Sequence, residues 1–227
     1  IQILNNMGTA YTDKEDYGQA LRRLGLGLEK AEEIKDAEEV ANICINIGVV
    51  DSKKGKYDEA IKYFQKAIDK AAELNVEKIL WEAYFERANA YKKLNNYQAS
   101  LENYRKSISS IESIRSKIWE EQKASYLATD KRIEAYQNTV DLLCKLYKSE
   151  PEKPYGIEAF KYLERCKARA FLDNLEVSRV NISQGVDIEL INQENELMKE
   201  ISNLNAELLK GGLSPERKKD IDNQVAD

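Results

Sequence analysis

The chain has 227 residues, 42% of them apolar, which is enough material for one large domain or two small ones with a sizeable core. Its formal net charge of -5, from 35 Lys and Arg against 40 Asp and Glu, argues against a general affinity for nucleic acid or anionic lipid. The sequence has no apolar run near the roughly 20 residues that cross a bilayer and no secretion signal at its start. We therefore expect a cytoplasmic protein that does not bind membranes.

Three segments of the chain align without a gap at a spacing of 40 residues. They start at Asn5, Ile45 and Phe85 and read "NNMGTAYTDKEDYGQALRRLGLGL", "INIGVVDSKKGKYDEAIKYFQKAI" and "FERANAYKKLNNYQASLENYRKSI". The aligned positions share small, aromatic or apolar side chains: Gly8, Gly48 and Ala88; Tyr17, Tyr57 and Tyr97; Ala20, Ala60 and Ser100; Leu24, Phe64 and Tyr104; Gly27, Ala67 and Ser107; Leu28, Ile68 and Ile108. A repeat this regular predicts an array of similar supersecondary units.

Each repeat has the pattern of a helical hairpin. A small residue in the first helix lets the second helix approach closely, a short turn follows, and apolar residues then recur at intervals of three and four. The pattern predicts an all-α protein with helix pairs near 1–34, 36–74 and 78–117. The corresponding repeat units lie near 1–40, 41–80 and 81–119.

A fourth, more degenerate unit is predicted over 120–175. Its first helix carries an apolar face, the loop "PEKPYG" interrupts it, and "IEAFKYLERCKARAFLDNL" resumes as a second helix. Ala159, Leu163 and Cys166 fall at the spacing of the aligned small and apolar positions. Cys166 therefore takes the place of a small residue where two helices touch, and we expect it to be buried there.

The pattern changes after Leu175. A polar linker is predicted over 176–186, and a helical hairpin over 187–227 with a leucine-rich seam at intervals of three and four. The chain starts at Ile1 and stops inside a charged helical pattern. We expect it to be a piece of a longer polypeptide.

The columns of small and aromatic residues resemble the tetratricopeptide repeat, whose signature is W-x2-L-G-x2-Y followed by A-x3-F. The resemblance implies a right-handed α-solenoid of about four helical hairpins, to which the C-terminal hairpin is added. The unit of 40 residues, against about 34 in the usual repeat, implies longer helices. Two positions depart from the columns: Asp51 stands in the column of Tyr11 and Tyr91, and Arg87 replaces an apolar residue.

The segment from Glu164 to Leu172, "ERCKARAFL", resembles the tetratricopeptide arm of CHAT-domain proteins, which are caspase-like proteases and their relatives. In that family a Cys/His protease or pseudoprotease domain follows the hairpin, and the repeats regulate it or receive a partner. The resemblance implies that this chain is such an arm. Since Arg forms bidentate pairs with carboxylates, we expect Arg165 or Arg169 to couple the repeats to the hairpin or to a downstream domain; the alternative is a solvated basic face.

The chain contains no histidine. A cysteine nucleophile of the protease kind needs a base, usually histidine, so an enzyme that uses Cys166 is disfavoured. The three cysteines, Cys44, Cys144 and Cys166, are distant in sequence and are expected to be reduced structural thiols. We predict no catalytic residue, no cofactor and no metal site.

The first helix of each unit lines the concave side of such a solenoid, which is the usual recognition surface. Helical phase, taken with the family resemblance, predicts a set of concave residues suited to a protein or peptide partner: Asn5, Asn6, Thr9, Asn46, Val49, Lys53, Phe85, Asn89 and Lys93, with Gln2, Asp13, Asn42, Glu82 and Glu86 beside them. An Asn amide can donate to and accept from a peptide backbone at once. The alternative is that these are ordinary solvated residues.

Two functions are compatible with these features. The first is a non-catalytic interaction and regulatory scaffold, the tetratricopeptide arm of a CHAT-type protease or pseudoprotease; the alternative is a free-standing adaptor that binds a peptide in its concave groove. Nucleic acid is disfavoured, because local lysine clusters such as Lys53 and Lys54 lack interleaved aromatic platforms. A receptor for terminal carboxylates is also disfavoured, because Thr9 and Asp13 stand where cationic or amide donors would be needed.

Overall fold

The computed structural model describes residues 1–117 and 130–167, together with Glu196. These residues form helices and no strand. The helices are α1 (Gln2–Asp13), α2 (Tyr17–Glu33), α3 (Ala37–Lys53), α4 (Tyr57–Leu74), α5 (Glu77–Lys93), α6 (Tyr97–Lys117), α7 (Asp130–Ser149) and α8 (155–167). The predicted all-α repeat fold is confirmed.

Consecutive helices pack as hairpins, and the hairpins stack. α1 packs on α2, α3 on α4 and α5 on α6, while α2 contacts α3 and α4 contacts α5. The first helices of neighbouring hairpins also touch, since α3 contacts both α1 and α5. This is the nearest-neighbour arrangement of a solenoid, in which each repeat buries its apolar faces against the next.

The backbone repeats the period of 40 residues at its turns. After α1, α3 and α5 the chain enters the left-handed region at Glu15 (φ 60°), Gly55 (φ 76°) and Asn95 (φ 59°). The N–H of each following residue donates to a carbonyl four positions before the left-handed residue, as from Asp16 to Tyr11 at 2.9 Å. This Schellman motif ends each first helix and reverses the chain into the second.

Small residues allow the two helices of a hairpin to approach closely, as the sequence columns predict. A Cβ on Gly48 would lie 2.5 Å from Cε1 of Phe64, and one on Gly8 would overlap the side chain of Leu24. Both partners are fully buried. The paired columns of small and large residues therefore set the spacing within the hairpins.

Buried apolar side chains form two clusters in the described residues. The first extends from α2 to α5 and includes Leu24, Ile43 and Phe64. The second joins α5, α6, α7 and α8, and in it the rings of Phe85 and Tyr104 have centroids 6.1 Å apart. The fourth unit is thus held by the core of the third.

The fourth unit differs from its prediction at three positions. Leu163 is exposed although it falls at an apolar position of the repeat, and Cys144, expected to be a structural thiol, is also exposed. Cys166 is only half-buried, packed against the second cluster. The hairpin does not keep the register of the first three units, because its first helix begins at Asp130 and a Pro-containing turn precedes α8.

The chain divides into two compact units, Ile1–Asn174 and Leu175–Asp227. In the second unit the structure describes Glu196, which is helical. The predicted linker over 176–186 and hairpin over 187–227 otherwise lie outside the described residues, as do residues 120–129 and 168–175 of the fourth unit. These boundaries stay predictions.

Candidate functional site

One polar stripe of each first helix remains accessible after packing. On α3 it consists of Asn42, Asn46, Val49 and Lys53, which are half-buried or exposed. Most of the positions between them are buried, because α3 packs against α4 and against the first helices on both flanks. The equivalent stripe on α5 is formed by Glu82, Glu86, Asn89 and Lys93.

These stripes border a groove of about 480 Å³ that crosses α1, α3 and α5. Nine of the residues predicted for the concave face line it: Thr9, Asp13, Asn46, Val49, Lys53, Glu82, Glu86, Asn89 and Lys93. The structure adds residues that the sequence analysis missed: Thr12, Ser52, Tyr57, Ala90 and Lys131. Lys131 comes from α7, so the groove also reaches the fourth unit.

Asn5, Asn6 and Phe85, which were also predicted for the concave face, do not line the groove. Asn5 accepts a hydrogen bond from Nδ2 of Asn46 at 2.6 Å and so holds that amide from beside the groove. Asn6 lies on the exposed stripe of α1 without lining the groove.

The prediction for Phe85 is corrected by its burial. Its side chain is 2% exposed and packs in the second core cluster, like Ile45 in the same column, which is 4% exposed. One residue along a helix rotates the side chain by about 100°. It is consequently the next residue, Glu86, that faces the groove.

Two acidic residues of α5 pair with a lysine of α7. Nζ of Lys131 lies 3.2 Å from Glu82 and 3.6 Å from Glu86. Burial raises the pKa of Glu86 above its ordinary value, and Lys131 opposes that shift. Burial also opposes the charge on Lys131, but the two carboxylates together raise its pKa.

Two lysines are available for a partner. Lys53 and Lys93 occupy the same column of neighbouring repeats, are exposed, and form no ion pair within residues 1–117 and 130–167. Asp13 occupies that column in the first repeat. The groove thus carries an acidic group at its α1 end and two cations further along.

A second groove of about 650 Å³ continues from the first, sharing Asn89 and Lys93 with it. Its far side is built by α7 and the turn before α6. Lys92 donates to Oδ1 of Asn138 at 3.0 Å, and Lys145 lies 4.0 Å from the ring centroid of Tyr97. The polar surface therefore extends along the first helices of all four units.

The predicted coupling residues fall at the end of the described chain. The Arg165 guanidinium lies 5.9 Å from the ring centroid of Tyr162 on the exposed side of α8, and Arg169 lies outside the described residues. A bidentate pair does hold α8, but it uses Arg105 of α6, whose Nε donates to Oε1 of Glu158 at 2.7 Å and whose second nitrogen contacts Oε2 at 2.5 Å. No sequence signal distinguishes Arg105 from other surface arginines.

Cys44 and Cys166 lack the environment of a nucleophile. Burial raises the pKa of Cys44 from 9.0 to about 11, and burial also raises the pKa of Cys166. A raised pKa reduces the thiolate fraction that reacts. In the described ranges no three or more Cys, Asp or Glu side chains are close enough to hold a metal ion.

None of the helices that the structure describes combines the length and apolar character that crossing a membrane requires.

Comparison with known proteins identifies the repeats. Residues 1–73 and 82–113 match tetratricopeptide-repeat family profiles. No curated protein matches the chain. These two segments therefore carry tetratricopeptide repeats, and repeats of this kind present extended surfaces for binding other proteins.

Solved structures with similar folds include three repeat proteins. One is a signal transduction ATPase with numerous domains from Pyrococcus horikoshii that has a tetratricopeptide repeat sensor. It is 16% identical to this chain, with a TM-score of 0.46. The match covers 82% of this chain and 30% of the Pyrococcus chain. The others are a Podosopora anserina putative kinesin light chain with nearly identical TPR-like repeats and a variant of it, 12% and 13% identical. Both matches have a TM-score of 0.46 and cover 81% of this chain. They cover 94% and 93% of the two kinesin light chain structures. The chain spans less than a third of the Pyrococcus protein.

Proposed function

We propose that the chain binds a protein or peptide segment in the groove formed by α1, α3 and α5, and that this binding is its regulatory function. The observation that carries the proposal is the convergence of nine predicted residues, from three repeats, on that groove. Its lining supplies amides, hydroxyls and lysines for main-chain and acidic groups, with Val49 of α3 as an apolar contact. The partner is accordingly an extended or helical peptide segment.

Binding in the groove can be tested with a peptide selected from a random-sequence display library against the wild-type chain. Val49→Arg places a large, charged side chain where the peptide would lie, so affinity should fall roughly tenfold, which corresponds to about 1.4 kcal/mol. Leu26→Arg, which adds the same side chain at an exposed position of α2, should leave affinity unchanged. Equal affinities for both variants and the wild type would contradict the proposal.

A more specific proposal is that the chain is the cytoplasmic arm of a CHAT-type protease or pseudoprotease, with Arg165 or Arg169 coupling it to that domain. The resemblance of the Glu164–Leu172 segment supports it. The alternative is a free-standing adaptor with the same groove.

The parent polypeptide distinguishes these two proposals. The arm proposal expects a downstream domain with a Cys and a His, whose partner-triggered activity falls when Arg165 or Arg169 is changed to Glu. A parent polypeptide without such a domain, or one whose activation and melting temperature are unchanged in both variants, would overturn the coupling proposal and leave groove binding intact.

A further inference from the structure

The third repeat differs from the first two at a pair of positions that face each other. The groove column reads Thr9, Val49 and Asn89, and the column of large buried residues reads Leu24, Phe64 and Tyr104. Only the third repeat has an amide in the first column, and only it has a hydroxyl in the second. The two groups touch, because the Tyr104 hydroxyl donates to Oδ1 of Asn89 at 2.5 Å.

The surroundings fix which end of the amide faces which neighbour. Nδ2 of Asn89 lies 3.4 Å from Oε2 of Glu86, and an ionised carboxylate can only accept hydrogen bonds. The amide oxygen must then face Tyr104. Burial raises the pKa of Tyr104 above its ordinary value, so this hydroxyl stays protonated and continues to donate.

The amide nitrogen retains donor capacity. It carries two hydrogens, and its contact with Glu86 is long, while no other acceptor within the described residues receives a hydrogen bond from it. Asn89 is half-buried and lines both grooves. A fixed donor at this place suits a neutral oxygen, because a carboxylate there would be repelled by Glu86.

We propose that Asn89 donates a hydrogen bond to a main-chain carbonyl of the bound peptide, and that Tyr104 is the positioning residue that holds the amide in this orientation. This inference rests on the proposed function, since it requires a peptide in the groove. It assigns to the third repeat a contact with the peptide backbone that does not depend on the partner's side chains.

Tyr104→Phe tests the positioning role with the smallest possible change. The same selected peptide should bind roughly three- to tenfold more weakly, the range expected for one hydrogen bond. Asn89→Ala should cause a similar loss. Adding Tyr104→Phe to Asn89→Ala should cause no further loss, because Tyr104 acts through Asn89 and a double-mutant cycle reports that dependence.

Tyr155→Phe is the matched control. Tyr155 is also buried and its hydroxyl accepts a hydrogen bond from an amide, Nε2 of Gln98 at 3.0 Å, but Gln98 lies outside the first groove and outside the second. This variant should lose stability without losing affinity. A purely structural Tyr104 would behave in the same way as Tyr155.

Side-chain ¹⁵N relaxation of Asn89 provides a readout without any peptide. We expect an ordered amide in the wild type and a more mobile one in Tyr104→Phe; equal mobility would overturn the positioning role.

Loss of affinity in Val49→Arg, with wild-type affinity in Tyr104→Phe and Asn89→Ala, would overturn this inference and leave the proposed function standing. Wild-type affinity in all three would overturn both.

Discussion

At the residue scale, the groove depends on glycines at the contacts between helices. Gly8 and Gly48 carry no chemistry, yet they set the distance between the two helices of a hairpin. The stripes of polar residues can form a shared groove only because the hairpins stack at close range.

Gly48→Ala should destabilise the protein. The added Cβ would lie 2.5 Å from the fully buried ring of Phe64, and overpacking of this kind costs about 1–3 kcal/mol, which exceeds the roughly 1 kcal/mol gained in helix propensity. Urea unfolding of the variant measures the difference. The control is Gly25→Ala on α2, where nothing lies within 4 Å of the new methyl group and stability should rise. A Gly48→Ala variant as stable as Gly25→Ala would contradict this packing.

Cys44 should make stability fall at alkaline pH. Its pKa is raised from 9.0 to about 11 by burial, so the folded state favours the neutral thiol. The resulting stabilisation is complete below the pKa of the unfolded state, near 9, and is lost as pH rises through about 11. Between these limits the unfolding free energy of the wild type should drop by about 2–3 kcal/mol more than that of Cys44→Ala. Parallel pH profiles for the two proteins would show that Cys44 is not protected from ionisation.

At the scale of the elements, the backbone conformation of the turns repeats every 40 residues, as the helices do. The left-handed position that ends the first helix is Glu15, Gly55 and Asn95 in successive units. A side chain with a Cβ costs about 1–2 kcal/mol in that conformation, whereas glycine does not. The first and second units therefore share one turn conformation, but its backbone strain is greater at Glu15 than at Gly55.

Gly55→Ala and Glu15→Gly should shift stability in opposite directions. Nothing lies within 4 Å of a Cβ at Gly55, so the cost of alanine there, about 1 kcal/mol, comes from the backbone alone. Glu15→Gly relieves the same strain and should raise the melting temperature, less the added entropy of the unfolded chain. If both substitutions lowered the melting temperature equally, the turns would not share one conformation.

At the scale of the whole molecule, repeat spacing predicted the helices well and the groove in part. The tyrosines at 17, 57 and 97 begin α2, α4 and α6, because identical columns impose identical hairpins. Phe85 was misplaced because an error of one residue in helical phase moves a side chain from the groove to the core. Lys131 was missed because the fourth unit does not keep the spacing of 40 residues, and the orientation of Asn89 is defined only by the contact with Tyr104.

Binding in the groove is tested most directly by methyl NMR during titration with the selected peptide. Val49 lines the groove from α3, and Leu26 and Leu74 are exposed on second helices outside it. We expect the Val49 methyl signals to shift in proportion to the bound fraction while those of Leu26 and Leu74 stay in place. Saturable shifts at Leu26 or Leu74, with Val49 unchanged, would contradict binding in the groove.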